Sequence, residues 1–314
     1  MNDDHQPTAW ERSALERLLR DTLIEQRRAR RWRIFFRLVT LLVILAVIGV
    51  FSADVGVPQV SGRHTALVQL NGVIAPGGDA DADLIIEALR AAYDNAHVAG
   101  VVLRIDSPGG SPVQAGRIND EIHRLRKLHP NVPLYAVIDD ICASGGYYVA
   151  VAADRIYADK ASVVGSIGVL MDGFGFVGTL DKLGIERRLL TAGAHKGFLD
   201  PFSPQNPDDV AHARTLLKQI HAQFIDAVRQ GRGDRLKDDP QLFSGLVWTG
   251  AQGVDLGLVD ALGDADTVAR DVFKADKVVD YTVHRAYFEK LIRSAGGEAA
   301  SALLESLSQR FHWR

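Results

Sequence analysis

The chain has 314 residues, 47% of them hydrophobic, a formal charge of -3 and a single cysteine. That is enough apolar material for a sizeable core, and the near balance of charge excludes a general nucleic-acid binder. One thiol excludes an internal disulfide and a multi-cysteine metal site, so Cys142 is expected to be a small buried residue.

The basic excess lies at the start. Leu15, Leu18, Leu19 and Leu23 recur at helical spacing among charged residues over 9–31, an amphipathic pattern that runs into Arg27, Arg28, Arg30, Arg31 and Arg33. Residues 1–33 are therefore read as a basic cytoplasmic segment. From 34 to 53 only Arg37, Thr40 and Ser52 interrupt an apolar run. At about 1.5 Å per residue that run spans roughly 30 Å, the hydrocarbon thickness of a bilayer. An arginine cluster ahead of one apolar span predicts a transmembrane signal-anchor helix at 34–53, with the N-terminus in the cytoplasm and the remainder outside. The rival is a cleavable signal peptide ending near Ser52 or Ala53, and the length of the basic segment argues against it.

After a linker over 54–64 the pattern alternates. Strands are expected over 65–74, 100–105 and 132–138 and helices over 83–94 and 113–128, which implies parallel pairing through crossover helices. A short small-residue helix over 147–153 follows. Further strands are expected over 155–157, 162–170 and 186–191, then a long amphipathic helix over 207–230 and a last strand over 279–284. The economical reading is one α/β domain over 65–279, followed by a helical C-terminal tail over 280–314 that ends in Phe311, His312, Trp313 and Arg314.

Two glycine turns carry the chemistry. Ser144 sits where a strand becomes a helix, followed by Gly145 and Gly146. The glycines permit a tight turn, and the free N–H groups of the first helical turn point at whatever binds there. The plain alternative is a serine that caps the helix. A second turn, Asp106-Ser107-Pro108-Gly109-Gly110-Ser111, also lies after a strand, so in a parallel sheet both turns face one crevice. Backbone N–H groups of Gly110 and Gly145 are then candidates for an oxyanion hole. The spacing fits neither the P-loop nor the dinucleotide fingerprint. A serine nucleophile needs a base, and Ala192-Gly193-Ala194-His195-Lys196-Gly197 offers two. Histidine is the commoner base, but no particular carboxylate stands out in the sequence as its orienting partner. A lysine acts as a base only where its surroundings favour the free amine.

Taken together, Asp106-Ser107-Pro108-Gly109-Gly110, Ala143-Ser144-Gly145-Gly146-Tyr147-Tyr148, Gly165-Ser166-Ile167-Gly168-Val169 and Lys196 in its glycine-rich loop resemble the short, single-repeat form of the bacterial signal peptide peptidase A family. The resemblance runs from about Leu67 to Leu262 and includes Leu246-Val247-Trp248-Thr249-Gly250 and Gly257-Leu258-Val259-Asp260. It implies Ser144 as nucleophile, Lys196 as general base and Ser166 as the hydroxyl that orients the lysine. It also implies a Clp protease/crotonase-like layered superhelix of ββα units. No cofactor and no metal are implied. The implied partners are peptide substrates, above all remnant signal peptides, the cytoplasmic membrane, and further copies of the chain in a ring. Run 173–177, with Phe174 and Phe176, is a candidate for the specificity pockets. An acyl-CoA hydratase or isomerase of the same fold class and a non-catalytic, membrane-anchored peptide-binding scaffold are the competing functions.

Overall fold

The computed structural model describes residues 10, 26–28, 30–45 and 62–283. The chain divides into two units, Val57–Arg285 on one hand and Met1–Gly56 with Ala286–Arg314 on the other. In the second unit residues 30–45 are helical, with Trp32 stacked on Phe36 at 5.6 Å and Ile34, Leu38 and Leu42 exposed. Among the described residues no helix is long and apolar enough to cross a membrane. Residues 46–53 of the expected span, 54–61 of the linker and 284–314 of the tail lie outside the described residues.

In the first unit, strands and helices alternate as the periodicity requires. The order is β1 (His64–Asn71), α1 (Ala82–Asp94), β2 (Val98–Ser107), α2 (Pro112–Leu128), β3 (Leu134–Ala143), α3 (Gly145–Ala150), β4 (Arg155–Ala158) and β5 (Val163–Gly165). Then come α4 (Val177–Lys182), α5 (Pro207–Arg232), β6 (Val247–Thr249), α6 (Gly250–Leu256), β7 (Ala261–Leu262), the three-residue α7 (Ala265–Thr267) and β8 (Val278–Asp280). Strands β1, β2, β3, β4, β7 and β8 join through parallel pairs, and β6 runs antiparallel to β5.

The strands are apolar on both faces because both faces are covered. Ala66, Val68, Val101, Leu103, Ala136 and Ile138 pack with α1, α2 and α3, while Leu67, Val102 and Val137 pack with Val268, Phe273 and Ala275. The Phe273 ring reaches that second face because Gly100 has no side chain; a Cβ there would meet it at 2.6 Å. Side-chain caps start the major helices. Asp81, Ser111 and Asn206 accept from the N–H groups of Asp83, Gln114 and Asp208, with proline at the first turn of α2 and α5.

One strand sets the shape of the site. β3 is longer than the expected 132–138 strand and serves two neighbours, pairing with β4 over 135–138 and with β5 over 141–143. It therefore runs straight into Ser144, and α3 begins at Gly145, two residues before the expected start. The 162–170 strand stops at Gly165, where φ of 100° and then 51° at Ser166 turn the chain out of the sheet. The 186–191 strand does not form: these residues are exposed, and β6 pairs with β5 instead.

Behind the site, Asp260 is a buried junction. It accepts from Arg232 at 2.8 Å, from Arg235 at 3.1 Å and from the Ile156 N–H at 2.7 Å, tying the end of α5 to β4. The buried Tyr147 hydroxyl donates to the Leu258 carbonyl at 2.8 Å, which locks α3 to the same corner.

Candidate active site

Ser144 occupies the N-cap position of α3 but does not cap it. Its backbone holds φ 51°, ψ -121°, outside the broad allowed regions for a residue with a Cβ, and its side chain makes no cap hydrogen bond. The hydroxyl is thus left for other work, and the capping alternative fails. Two backbone bonds hold the turn: the Ser144 N–H donates to the Gly165 carbonyl at 2.9 Å, and the Ser144 carbonyl accepts from the Tyr148 N–H at 2.9 Å. Asn119 of α2 adds a third hold, donating to the Tyr148 carbonyl at 2.7 Å.

The two glycine turns meet, as the parallel sheet requires. A Cβ on Gly109 would stand 2.6 Å from the Gly145 nitrogen and 2.8 Å from the Ser144 Cβ, and a Cβ on Gly145 would stand 3.2 Å from the Gly110 nitrogen. Positive φ at Gly109 (99°) and Gly110 (149°) completes the reason for glycine at both. Among the described residues no turn, loop or cap bond uses the N–H of Gly110 or Gly145. Two unspent donors beside an unspent hydroxyl can hold the oxygen of a carbonyl under attack. Gly110 also lies over the Ile74 carbonyl, 2.2 Å from where a Cβ would be. Gly110→Ala is expected to displace the turn and, on the oxyanion-hole expectation, to lower kcat by about 10²-fold or more in a steady-state peptide assay.

The fully buried Ser107 positions this turn, a role the sequence did not reveal. Its hydroxyl donates to the Gly72 carbonyl at 2.6 Å and accepts from the Gly109 N–H at 3.1 Å. Ser166 stands on the neighbouring chain segment, since Gly165 takes the Ser144 N–H and the Ser166 N–H donates to the Leu246 carbonyl at 2.8 Å. Like Ser144, it has φ 51°. Cys142 is fully buried, and burial pushes its thiol far above the ordinary range, so it is inert packing.

Lys196 lies in a different setting. Its loop belongs to a stretch over 170–206 that is largely exposed, with Phe174 80% and Leu190 96% accessible. The lysine is exposed, and among the described residues its amine makes no hydrogen bond or ion pair, with Ser144 or Ser166 included. The backbone bonds and close approaches thus join Gly110, Ser144, Gly145 and Ser166, and no hydrogen bond among the described residues ties Lys196 to them. Its neighbour His195 has the carboxylate that the sequence did not disclose: His195 Nδ1 lies 2.6 Å from Asp209 Oδ1. Phe174 and Phe176 lie 6.4 Å apart and Phe176 stacks on Phe202 at 5.4 Å. Among the described residues no cluster of histidine, cysteine, aspartate or glutamate is arranged to hold a metal ion.

Residues 126–279, which include Ser144, Ser166 and Lys196, match Peptidase family S49. A protein of Brucella abortus named as a Na(+)/H(+) antiporter NhaA is 42% identical over 217 residues, 68% of this chain but only 29% of that protein. The chain thus spans less than a third of that relative's length. A protein of Enterococcus faecium provisionally named as the signal peptide peptidase SppA is 28% identical over 231 residues, 71% of this chain and 67% of that protein. A provisionally named protease of Synechocystis is 30% identical over 201 residues, 64% of this chain and 70% of that protein. With this family match and relatives named as peptidase and protease, the chain belongs to peptidase family S49.

Proposed function

We propose that the chain is a membrane-anchored serine endopeptidase that degrades remnant signal peptides and other apolar peptides at the outer face of the cytoplasmic membrane. The observation that carries this reading is the unspent Ser144 hydroxyl, held at a strained strand-to-helix turn against Gly109 and Gly110. Ser144 attacks the scissile carbonyl while the Gly110 and Gly145 N–H groups take the oxyanion. Lys196 accepts the serine proton and returns one to the leaving amine, with Ser166 orienting it, and water then resolves the acyl-enzyme. These side chains perform the reaction with neither metal nor cofactor in any step. The split of β3 between two partners supports a Clp protease/crotonase-like superhelix.

Substrate class and anchoring rest on the family and on the 34–53 span. A relative named as a signal peptide peptidase supports the former, and the arginine cluster ahead of the span supports an extracytoplasmic domain. Assembly into a ring of like subunits is supported by the large apolar side chains left exposed over 170–206, among them Leu170, Phe174, Leu183 and Leu190, which a second copy would cover. Phe174→Asp combined with Leu190→Asp is therefore expected to leave folded single chains that cleave peptide at least ~10-fold more slowly, an expectation drawn from the partner-dependence of such sites. Light scattering beside the peptide assay checks it, and full activity in a dispersed variant would refute the need for assembly.

One observation favours a second base. His195 paired with Asp209 has the form of the oriented histidine in a serine-histidine-carboxylate triad. Cleavage of a synthetic signal peptide by the full chain separates the two. A wild type that cleaves and a folded, assembled Lys196→Ala that does not supports the serine-lysine reading; an active Lys196→Ala moves the base to His195.

A further inference from the structure

The His195–Asp209 pair has a second meaning if Lys196 is the base, and the following rests on that reading. Asp209 lies in the first turn of α5 and is 6% accessible, while the His195 side chain is 62% accessible. A carboxylate can only accept a hydrogen bond. His195 Nδ1–H is therefore the donor, at 2.6 Å, which fixes the tautomer and plane of the ring. Three residues further along α5, on the same side of the helix, the His212 ring meets the Phe198 ring edge-on at 5.9 Å. Lys196 sits between these two tethered residues. Tight turns complete the loop, with the N–H of Lys196 donating to Gly193, of Phe198 to His195 and of Asp200 to Gly197, each at 3.1 Å.

The same helix reaches the serine side. His221 of α5 lies 3.1 Å from the carbonyl of Ile167, the residue after Ser166, and donates to it through Nε2–H. Asp209 and His221 are about 18 Å apart along α5 at 1.5 Å per residue. One rigid helix thus carries the lysine loop near its start and steadies the Ser166 turn three turns on.

We propose that Asp209, acting through His195, is a positioning residue that docks the Lys196 loop on α5 and sets where the lysine amine is presented. His195 is then an anchor that takes no proton from Ser144. The lysine itself is exposed, and without this bond only the Phe198–His212 ring contact described above ties its loop to α5, which leaves it free to shift. A displacement of about 1 Å at a reacting group lowers the rate by about 10²-fold while leaving peptide binding largely in place.

The test uses the full chain, a synthetic signal peptide, and separate kcat and KM values measured on folded, assembled protein. His195→Ala and Asp209→Ala are expected to lower kcat by about 10²-fold with KM changed less than about threefold. His195→Asn is the deciding variant. Its side-chain N–H can stand where Nδ1–H stands and donate to Asp209, yet it has no nitrogen that can act as a base. It is expected to recover kcat to within about fivefold of wild type, the loss expected when the hydrogen bond survives and only the ring is gone. A His195→Asn as slow as His195→Ala, or an Asp209→Ala with wild-type kcat, overturns the positioning role. An active Lys196→Ala overturns the serine-lysine reading itself, so the two failures are told apart by different variants.

Discussion

Ser144→Ala is expected to lower turnover of a synthetic signal peptide by about 10⁴-fold or more, with the protein still folded and assembled. Among the described residues nothing is bonded to the hydroxyl: Ser144 is held by its own N–H and carbonyl, and its side chain caps no helix. Alanine keeps the Cβ, so the strained turn and the contact with Gly109 are retained. Lys196→Ala is expected to lose about as much, because nucleophile and base act as one unit, and the double variant is expected to be no slower than either single one. The three rates, with covalent labelling by a serine-directed phosphonate, check this. An additive double variant would show that the two residues do not work together. A wild type that neither cleaves nor labels would leave a peptide-binding scaffold as the better account.

The second large effect is on stability. Asp260→Ala is expected to cost about 3–5 kcal/mol, because it strands the buried Arg232 guanidinium without its carboxylate. Arg232 is 1% accessible and the Asp260 side chain 3%, so little water can replace the lost partner. For a domain of this size that corresponds to a fall of about 10 °C in melting temperature, at roughly 2–4 °C per kcal/mol. The pH dependence follows from the same group. Burial pushes the Asp260 carboxyl up, but the hydrogen bonds and charge of Arg232, the Ile156 N–H and Arg235 outweigh it and hold the carboxyl below its ordinary range. A carboxyl depressed in the folded state contributes stability that is fully present above the unfolded value of about 3.9 and is lost as pH falls through the folded value. The gap between wild type and Asp260→Ala in urea titrations should therefore be constant near neutrality and shrink below about pH 4. A gap that stays constant into acid would show that the carboxylate is not the source of the stability.

Much of the fold was legible because it is written in local patterns. Runs such as Val101 to Ile105 and the apolar face of Ile85, Ile86 and Leu89 declare their period, and Gly109, Gly110, Gly145 and Gly146 punctuate them. The expected helix over 83–94 matches α1 to within one residue for that reason. Elements without a strong period fared differently. The 186–191 segment pairs with no strand, and the 162–170 strand ends where the positive φ of Gly165 and Ser166 takes the chain away. Pairing is a long-range choice that overrides local preference.

The candidate site divides in the same way. The sequence by itself determined the strand-to-helix turn at Ser144, the glycine pair at 109 and 110, and the α/β alternation that sends both to one edge of the sheet. Only the tertiary structure decided that the Ser144 hydroxyl is not a cap, that Ser107 bridges Gly72 and Gly109, and that Asp260 gathers Arg232 and Arg235. It also decided that His195 belongs to Asp209, fourteen residues away, a separation with no meaning until α5 lays its first turn beside the loop. Turns and periodicity follow from each residue's own stereochemistry and its near neighbours. Hydrogen bonds between distant side chains depend on where whole elements pack, and only the folded chain sets that.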